Sequence, residues 1–199
     1  RDLHSFPTRR SSDLVVDLVF FDPRSELTET GYLKSRFLDD KLGVAVMMGA
    51  VKAMREQGLS PAHTTHLYVS NYEEIGHGTP VIPSKTVEVA AVDIGVVAEE
   101  YASSEHAVTI ISRDGAMPYD REAVLQLKRL AEGEGIPYRI DAYINYASDA
   151  SVSVKSGKDV RALCFGPGAE ATHHYERTHL DAVDATVRLL AAYLQAELA

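Results

Sequence analysis

The chain has 199 residues, and its hydrophobic content of 45% is enough to bury the core of a compact domain. Its net charge of −9 argues against a nucleic-acid partner, which needs a basic face. A single cysteine, Cys164, excludes an internal disulfide and indicates a reducing, cytoplasmic setting. No apolar run approaches the ~20 residues that cross a bilayer, and no secretion signal is recognisable, so we expect a soluble protein with no membrane partner.

Residues 1–14, RDLHSFPTRRSSDL, differ in character from the rest of the chain. They are rich in arginine and serine and lack helical or strand periodicity, whereas a protein-like apolar pattern starts abruptly at Val15. We interpret 1–14 as a non-native leader, because the string resembles translated adapter sequence. The alternative is a disordered basic leader. The authentic part of the chain is then residues 15–199.

The first elements after this leader are a strand and a helix. Val15–Phe21 is short and apolar and ends in the turn Asp22-Pro23, which predicts a strand. Asp40–Gln57 predicts a helix, because apolar residues recur every three or four positions and Gly58 suits its end. These apolar residues are Val44, Met47, Met48, Val51 and Met54.

Strands and helices then alternate to the end of the chain. The predicted strands are Thr65–Ser70, Val87–Val92, Ala107–Ser112, Tyr138–Ala142 and Val160–Phe165, and the predicted helices are Asp120–Glu132 and Asp181–Leu198. This alternation predicts an α/β domain, a three-layer αβα sandwich in which helices cover both faces of a mixed sheet.

Two acidic pairs stand where a predicted element begins or ends. Asp39 and Asp40 open the first helix, where an aspartate can simply cap free backbone N–H groups. Glu73 and Glu74 come after the strand Thr65–Ser70, a position in which α/β sheets place their ligands. Two adjacent carboxylates repel each other unless a cation lies between them. These pairs therefore indicate either a helix cap or a cation site.

A fifth acid and three histidines extend this pattern. Asp93 lies at an apolar strand end, where a buried charge needs an arginine or a metal as its partner. His173, His174 and His179 lie in the loop before the last helix. Carboxylates at successive element ends, together with a later histidine, supply the oxygen and nitrogen ligands that suit Zn²⁺, Co²⁺ or Mn²⁺.

Five segments of the chain carry a family resemblance: FDPRSELTETGYLKSRFLDDKLG, VSNYEEIGHG, AVDIG, YASDAS and GPGAEATHHYERTH. In this order they resemble the glutamyl-aminopeptidase-like metallopeptidases that assemble as tetrahedral dodecamers, some of which carry the name cellulase M or endoglucanase. The resemblance implies a zinc-peptidase-like fold, two divalent metal ions (Zn, Co or Mn), a peptide substrate and a homo-oligomer. It implies that residues 15–199 are the C-terminal part of a metallopeptidase catalytic domain.

The resemblance also implies roles for five residues. Asp39 is expected to bridge two metal ions. Glu74 and His173 complete one metal, and Asp93 binds the other. Glu73 remains as the general base, which takes a proton from the attacking water and passes it to the leaving amine.

The choice among the histidines rests on their neighbours. His173 comes after the Gly-Pro turn and precedes Glu176, whereas the family usually has glycine at the position of His174. His179 is the reserve candidate. His174 and His179 are otherwise expected at the surface or at the entry to the helix. Asp149 in YASDAS is expected to hold the site or the substrate indirectly.

The chain departs from the family at its front. The family takes one further ligand, a histidine followed two residues later by an aspartate, from an upstream segment, and His4 in the leader has no strand context to replace it. Most of a small inserted β domain is missing too, and residues 15–24 resemble the return from it. We therefore expect a truncated aminopeptidase, and whether this chain alone is active stays open.

Two alternatives to the aminopeptidase stay open. A carboxypeptidase or an N-acyl amino acid deacylase uses the same type of site with a pocket for a carboxylate. A non-catalytic fragment folds but fails to hold both metals. A cellulase has weak chemical support, because glycoside hydrolysis needs a carboxylate pair that flanks a sugar.

Overall fold

The computed structural model describes residues 20–79 and 81–198. The leader 1–14 and its His4 lie outside the described residues, as does most of the strand predicted at Val15–Phe21. Only Phe20 and Phe21 of that strand are described, and both are exposed and belong to no strand.

Eight strands, four helices and one 3₁₀ turn make up the described part of the chain. The strands are β1 (Glu26–Leu27), β2 (Tyr32–Ser35), β3 (Glu88–Val92), β4 (Gly95–Val97), β5 (Val108–Arg113), β6 (Tyr138–Ala142), β7 (Arg161–Glu170) and β8 (Glu176–His179). The helices are α1 (Leu38–Glu56), α2 (Arg121–Gly133), α3 (Asp149–Lys155) and α4 (Leu180–Gln195), and the 3₁₀ turn is Glu73–Ile75.

The strands form one mixed sheet around the long strand β7. The order is β1-β2-β8-β7-β5-β6, and β3 and β4 pair with β7 in parallel. Strands β5 and β8 run antiparallel to β7, whereas β6 runs parallel to β5. The predicted α/β class with a mixed sheet is confirmed.

Helices α1, α2 and α4 pack together against the sheet, while α3 packs on β3 and β7. The core between them combines aliphatic and aromatic side chains, and Val46, Leu127, Leu163 and Phe165 are fully buried in it. Within these residues, no helix is both long enough and apolar enough to span a membrane.

The predicted buried face of α1 was partly wrong. Met48 is 64% exposed, whereas Leu42, Val46, Ala50 and Met54 are buried. These four residues recur every four positions and so form one stripe along the helix. The sequence prediction placed Met48 in the core because it is apolar. The buried stripe instead passes beside it, through Val46 and Ala50.

The strand predicted at Thr65–Ser70 was also wrong. This segment belongs to no strand, and its Leu67, Tyr68 and Val69 are at least 44% exposed. It lines a groove of about 1020 Å³ together with β3 but makes no ladder with it. A β-branched and aromatic composition favours a pleated, half-buried surface, but it does not supply the neighbouring strand that forms the hydrogen bonds.

Candidate metal centre

Four separate segments bring their polar side chains together at one place. Asp39 comes from the start of α1, and Glu74 comes from the 3₁₀ turn. Asp93 comes directly after the last residue of β3, and His173 lies in the turn between β7 and β8. Side chains from the ends of successive elements therefore meet, as the sequence predicted.

The ligand atoms form two groups that share one residue. His173 Nε2 lies 3.1 Å from Glu74 Oε2 and 3.3 Å from Asp39 Oδ2. In the group Asp39, Glu74 and His173, all three ligand atoms lie within 4.8 Å of one another, and the same holds for the group Asp39, Asp40 and Asp93. We call these five residues the candidate metal centre.

Asp40 was not predicted as part of this centre. Its Oδ1 accepts a hydrogen bond from the backbone N–H of Gly43 at 2.9 Å, which is the contact of a helix cap. The backbone is non-helical at both aspartates, with ψ of 109° at Asp39 and φ of −120° at Asp40. The capping interpretation therefore applies to Asp40, while the Asp39 side chain faces His173.

Glu176 holds two parts of this centre in place. Its side chain is buried, and its Oε1 accepts a hydrogen bond from the backbone N–H of His173 at 3.1 Å. Its Oε2 accepts hydrogen bonds from the backbone N–H groups of Leu38 and Asp39. Sequence reasoning noted Glu176 only as a neighbour of His173. Glu176 opens strand β8, in which buried and half-buried residues alternate. This alternation is the signal that its side chain faces the interior.

Asp149 holds the segment that carries Glu73. Its Oδ2 accepts a hydrogen bond from the Ser70 hydroxyl at 2.6 Å, and its backbone carbonyl accepts one from the Thr79 hydroxyl at 2.8 Å. A Cβ at Gly78 would collide with the Asp149 carboxylate. The start of α3 thus contacts both ends of the loop that contains Glu73, and this geometry fits the indirect role expected for Asp149.

The other two histidines lie elsewhere. His174 is exposed. His179 is the N-cap of α4, where its Nδ1 accepts a hydrogen bond from the backbone N–H of Asp181 at 3.1 Å. Of the three histidines, it is His173 that the fold brings to Asp39 and Glu74.

Burial and mutual repulsion disturb the titration of these carboxylates. Burial, and then the charge of Glu74, raise the pKa of Asp39 to about 6. Burial, and then the charge of Asp149, raise the pKa of Glu73 to about 7. Burial is also the largest cause that raises the pKa values of Asp40 and Asp93 well above their ordinary range.

This donor set fits divalent metal ions. The two ligand groups contain four carboxylates and one imidazole, so negative charge accumulates in the candidate metal centre. The repulsion among these carboxylates contributes to their raised pKa values, and a bound cation offsets that repulsion. Oxygen ligands with one nitrogen ligand suit zinc, cobalt and manganese.

A mixed α/β sheet whose loops gather carboxylates and a histidine at one place is typical of metal-dependent hydrolases. The chain belongs to the M42 glutamyl aminopeptidase family, whose model matches residues 12–189.

Individual relatives agree with this assignment. The chain is 42% identical over 182 residues to the putative aminopeptidase YhfE of Bacillus subtilis, a match that covers 91% of this chain and 53% of YhfE. Its fold is similar to the TET aminopeptidase of the marine sediment archaeon Thaumarchaeota archaeon SCGC AB-539-E09, with a TM-score of 0.76 at 14% identity, covering 86% of this chain and 51% of that one.

A second solved structure has the same fold. The TET1 peptidase of Pyrococcus horikoshii, which can assemble into a tetrahedron or a large octahedral shell, matches with a TM-score of 0.73 at 19% identity. That match covers 89% of this chain and 54% of the TET1 chain. The chain therefore spans about half the length of the relatives that it matches.

Proposed function

We propose that this chain is the C-terminal part of a metal-dependent aminopeptidase that removes residues from the N-terminus of peptides. The observation that carries the proposal is that Asp39 belongs to both ligand groups of the candidate metal centre. A carboxylate shared by two groups is suited to bridge two divalent ions. The membership in the M42 family supports the choice of an aminopeptidase among metal-dependent hydrolases.

Each ligand group is assigned to one ion. Glu74 and His173 would hold the first ion together with Asp39, and Asp93 would hold the second together with Asp39. Asp40 lies in the second group and caps α1 at the same time, so we assign it to shaping the site. When bound, the two ions supply Lewis-acid chemistry, which lowers the pKa of water and polarises the scissile carbonyl.

Glu73 is the proposed general base. Its pKa of about 7 lies close to the range in which a carboxylate both accepts and returns a proton near neutral pH. It belongs to neither ligand group, although it is adjacent to Glu74 in the 3₁₀ turn. Glu73 accepts the proton of the attacking water and delivers it to the leaving amine, while Asp149 holds its loop in position.

The proposal includes an upstream segment, because the chain spans about half the length of the relatives that it matches. The described residues supply one histidine to the two ligand groups of the centre. We propose that an upstream segment with the pattern His-x-Asp contributes the remaining ligands, and that the complete chain forms a homo-oligomer. Sedimentation of the chain extended upstream tests the oligomer, since a monomer would contradict it.

Metal content and peptidase activity test the function together. Elemental analysis gives the metal ions per chain, and amino-acid p-nitroanilides with cobalt or zinc give the activity, both on this chain and on the chain extended upstream. We expect two metal ions and activity after the extension. If the extended chain bound two ions and cleaved only N-acyl or C-terminal substrates, a deacylase or a carboxypeptidase would replace the aminopeptidase.

A further inference from the structure

A second group of metal-binding side chains lies away from the candidate metal centre. His106 precedes β5, His179 ends β8, and Asp181 is in the first turn of α4. Their ligand atoms lie within 4.8 Å of one another. His179 is three residues along β8 from Glu176, which corresponds to about 10 Å of strand. Glu176 in turn contacts the backbone of Asp39 in the candidate metal centre, so the two groups are separate. We call it the His106 cluster.

The two imidazoles converge on one carboxylate oxygen. His106 Nδ1 lies 2.9 Å from Asp181 Oδ2, and His179 Nδ1 lies 3.1 Å from the same atom. The two rings are neighbours, with centroids 4.3 Å apart. Two nitrogen atoms and one oxygen atom at these separations suit three ligand positions of a tetrahedral zinc site.

The orientation of His179 is set by its other nitrogen. Nε2 lies 2.8 Å from the backbone carbonyl of Thr30, which can only accept a hydrogen bond, so Nε2 carries a proton. In the neutral ring, the Nδ1 lone pair then points toward Asp181, where it accepts a hydrogen bond from the backbone N–H and lies 3.1 Å from carboxylate Oδ2. A cation between Nδ1 and Oδ2 would replace this hydrogen bond and would be held by the nitrogen and the carboxylate together. Histidine ligands of metals characteristically donate their second N–H to a carbonyl in this way.

Tyr32 orients both rings. Its hydroxyl lies 3.2 Å from His106 Nε2, which leaves Nδ1 of that ring facing Asp181. The Tyr32 ring packs edge-on against His106 and against His179, with interplanar angles of 80° in both cases. The imidazoles are thus held before any ion binds.

The surrounding charge favours a cation. Arg177 lies over the Tyr32 ring beside the His106 cluster, and it is already paired with Glu105 and Glu170. Together with Asp181, these two carboxylates carry more negative charge than Arg177 neutralises. The start of α4 opposes a cation through the helix dipole, but the charge of Asp181 in the first turn offsets that effect.

We propose that His106 Nδ1, His179 Nδ1 and Asp181 Oδ2 form an additional zinc site, with water at the remaining position. Two imidazoles and a carboxylate suit zinc, whereas calcium and magnesium need a shell of oxygen atoms. The exposure of His106 and Asp181 leaves room for the water. The ion links the turn at Thr30, the loop at His106 and the start of α4, so its role is structural.

Zinc content after equilibrium dialysis tests the site on the unsubstituted chain and on His106→Gln. His63→Gln is a matched control, because His63 also pairs with a carboxylate, Glu197, at the surface. We expect His106→Gln to hold one zinc ion fewer per chain, or to bind it at least ~10-fold more weakly, while His63→Gln is unchanged. Equal zinc content in His106→Gln and the unsubstituted chain would overturn the proposal.

Two further measurements keep this result separate from the candidate metal centre. Asp93→Asn is expected to weaken zinc binding at that centre and to keep the zinc ion that depends on His106, whether or not the protein is an aminopeptidase. In nitrogen-15 spectra, added zinc should shift Nδ1 of His106 and His179 and leave Nε2 protonated in His179. Asp181→Asn, an exposed substitution, should abolish these shifts. Shifts at Nε2, or unchanged spectra in a folded chain, would contradict the site.

Discussion

Glu176 accepts a hydrogen bond from the backbone N–H of Asp39 at 3.1 Å, although the two residues lie 137 positions apart. The other oxygen of the same carboxylate accepts a hydrogen bond from the backbone N–H of His173. Asp39 and His173 face each other in the candidate metal centre, with 3.3 Å between Oδ2 and Nε2. One buried carboxylate therefore sets the spacing between two proposed ligands.

Glu176→Gln is expected to weaken metal binding and stability together. The amide keeps the size of the side chain, but its NH₂ group cannot accept a hydrogen bond from a backbone N–H. Losing a hydrogen bond to a buried charged group costs about 1.5–3 kcal/mol of unfolding free energy. Misplaced ligands should lower metal affinity by roughly 10–100-fold. Urea denaturation and competition with a chelator measure the two effects.

Glu170→Gln is the matched control for this substitution. Glu170 ends β7 and is 49% exposed, and its carboxylate pairs with Arg177 away from the centre. Its removal should leave the metal affinity of the candidate metal centre unchanged. If Glu176→Gln bound metal as tightly as the unsubstituted chain, Glu176 would have no positioning role.

Glu73→Gln should separate catalysis from metal binding in the chain extended upstream. A positioned general base contributes about 10²–10⁴-fold to the rate, so we expect kcat to fall by that factor. Metal content should stay the same, because Glu73 belongs to neither ligand group. Steady-state kinetics and elemental analysis on the same preparation give both values.

Glu74→Gln provides the contrast, since Glu74 is a proposed ligand. It should lose one metal ion as well as activity. The assignment of the base would be wrong if Glu73→Gln lost metal, or if it kept the kcat of the unsubstituted enzyme.

The metal-free chain should become less stable as pH rises. Asp39 has an ordinary pKa of 3.8 and a folded pKa of about 6, and for Glu73 the corresponding values are 4.5 and about 7. For a carboxyl group whose folded pKa is raised, the unfolded chain releases its proton first. Stability from these groups is then fully present below about pH 4 and is lost as pH rises to about 7.

Thermal or urea unfolding between pH 4 and 8 measures this loss. Asp39→Asn carries no titrating group at that position, so its metal-free form should lose less stability over the same range. Zinc or cobalt should restore the stability of the unsubstituted chain at pH 7, because a bound cation favours the charged form of the carboxylates. Metal-free curves of the same shape for both chains would contradict the raised pKa of Asp39.

Periodic segments could be predicted from the sequence, because their neighbours along the chain determine them. The helix predicted at Asp120–Glu132 is observed at Arg121–Gly133, and the strand predicted at Tyr138–Ala142 is observed with the same bounds. Thr65–Ser70 has an equally suitable composition but makes no ladder, since a strand depends on a partner that local sequence does not specify.

The candidate metal centre was also only partly predictable from the sequence. Acids at element ends indicated its general place, but the spacing did not reveal that Asp40 joins Asp39 and Asp93. The direction of His173 depends on a left-handed backbone, with φ of 67°, and on the hydrogen bond to Glu176. Both come from tertiary contacts between distant residues, which a single sequence does not display.

Tyr146 tunes the ligand that lies deepest in the candidate metal centre. Burial raises the pKa of Asp93 well above its usual range, whereas two donors lower it: the backbone N–H of Ile94, 2.7 Å from Asp93 Oδ1, and the nearby hydroxyl of Tyr146. Tyr146→Phe removes one of these two donors and should raise the pKa further. A metal ion must then displace a more tightly held proton, so we expect roughly 10-fold weaker binding of the second ion, with a larger loss at lower pH.

Tyr138→Phe is the control, because its hydroxyl also donates to a carboxylate, Glu132 at 2.9 Å, but at the surface. Manganese titrations of both variants at several pH values measure the difference. The Tyr138 variant should match the unsubstituted chain at every pH. If the Tyr146 variant did so too, Asp93 would not depend on Tyr146, because its charged form would then be held by the N–H of Ile94 and the ion alone.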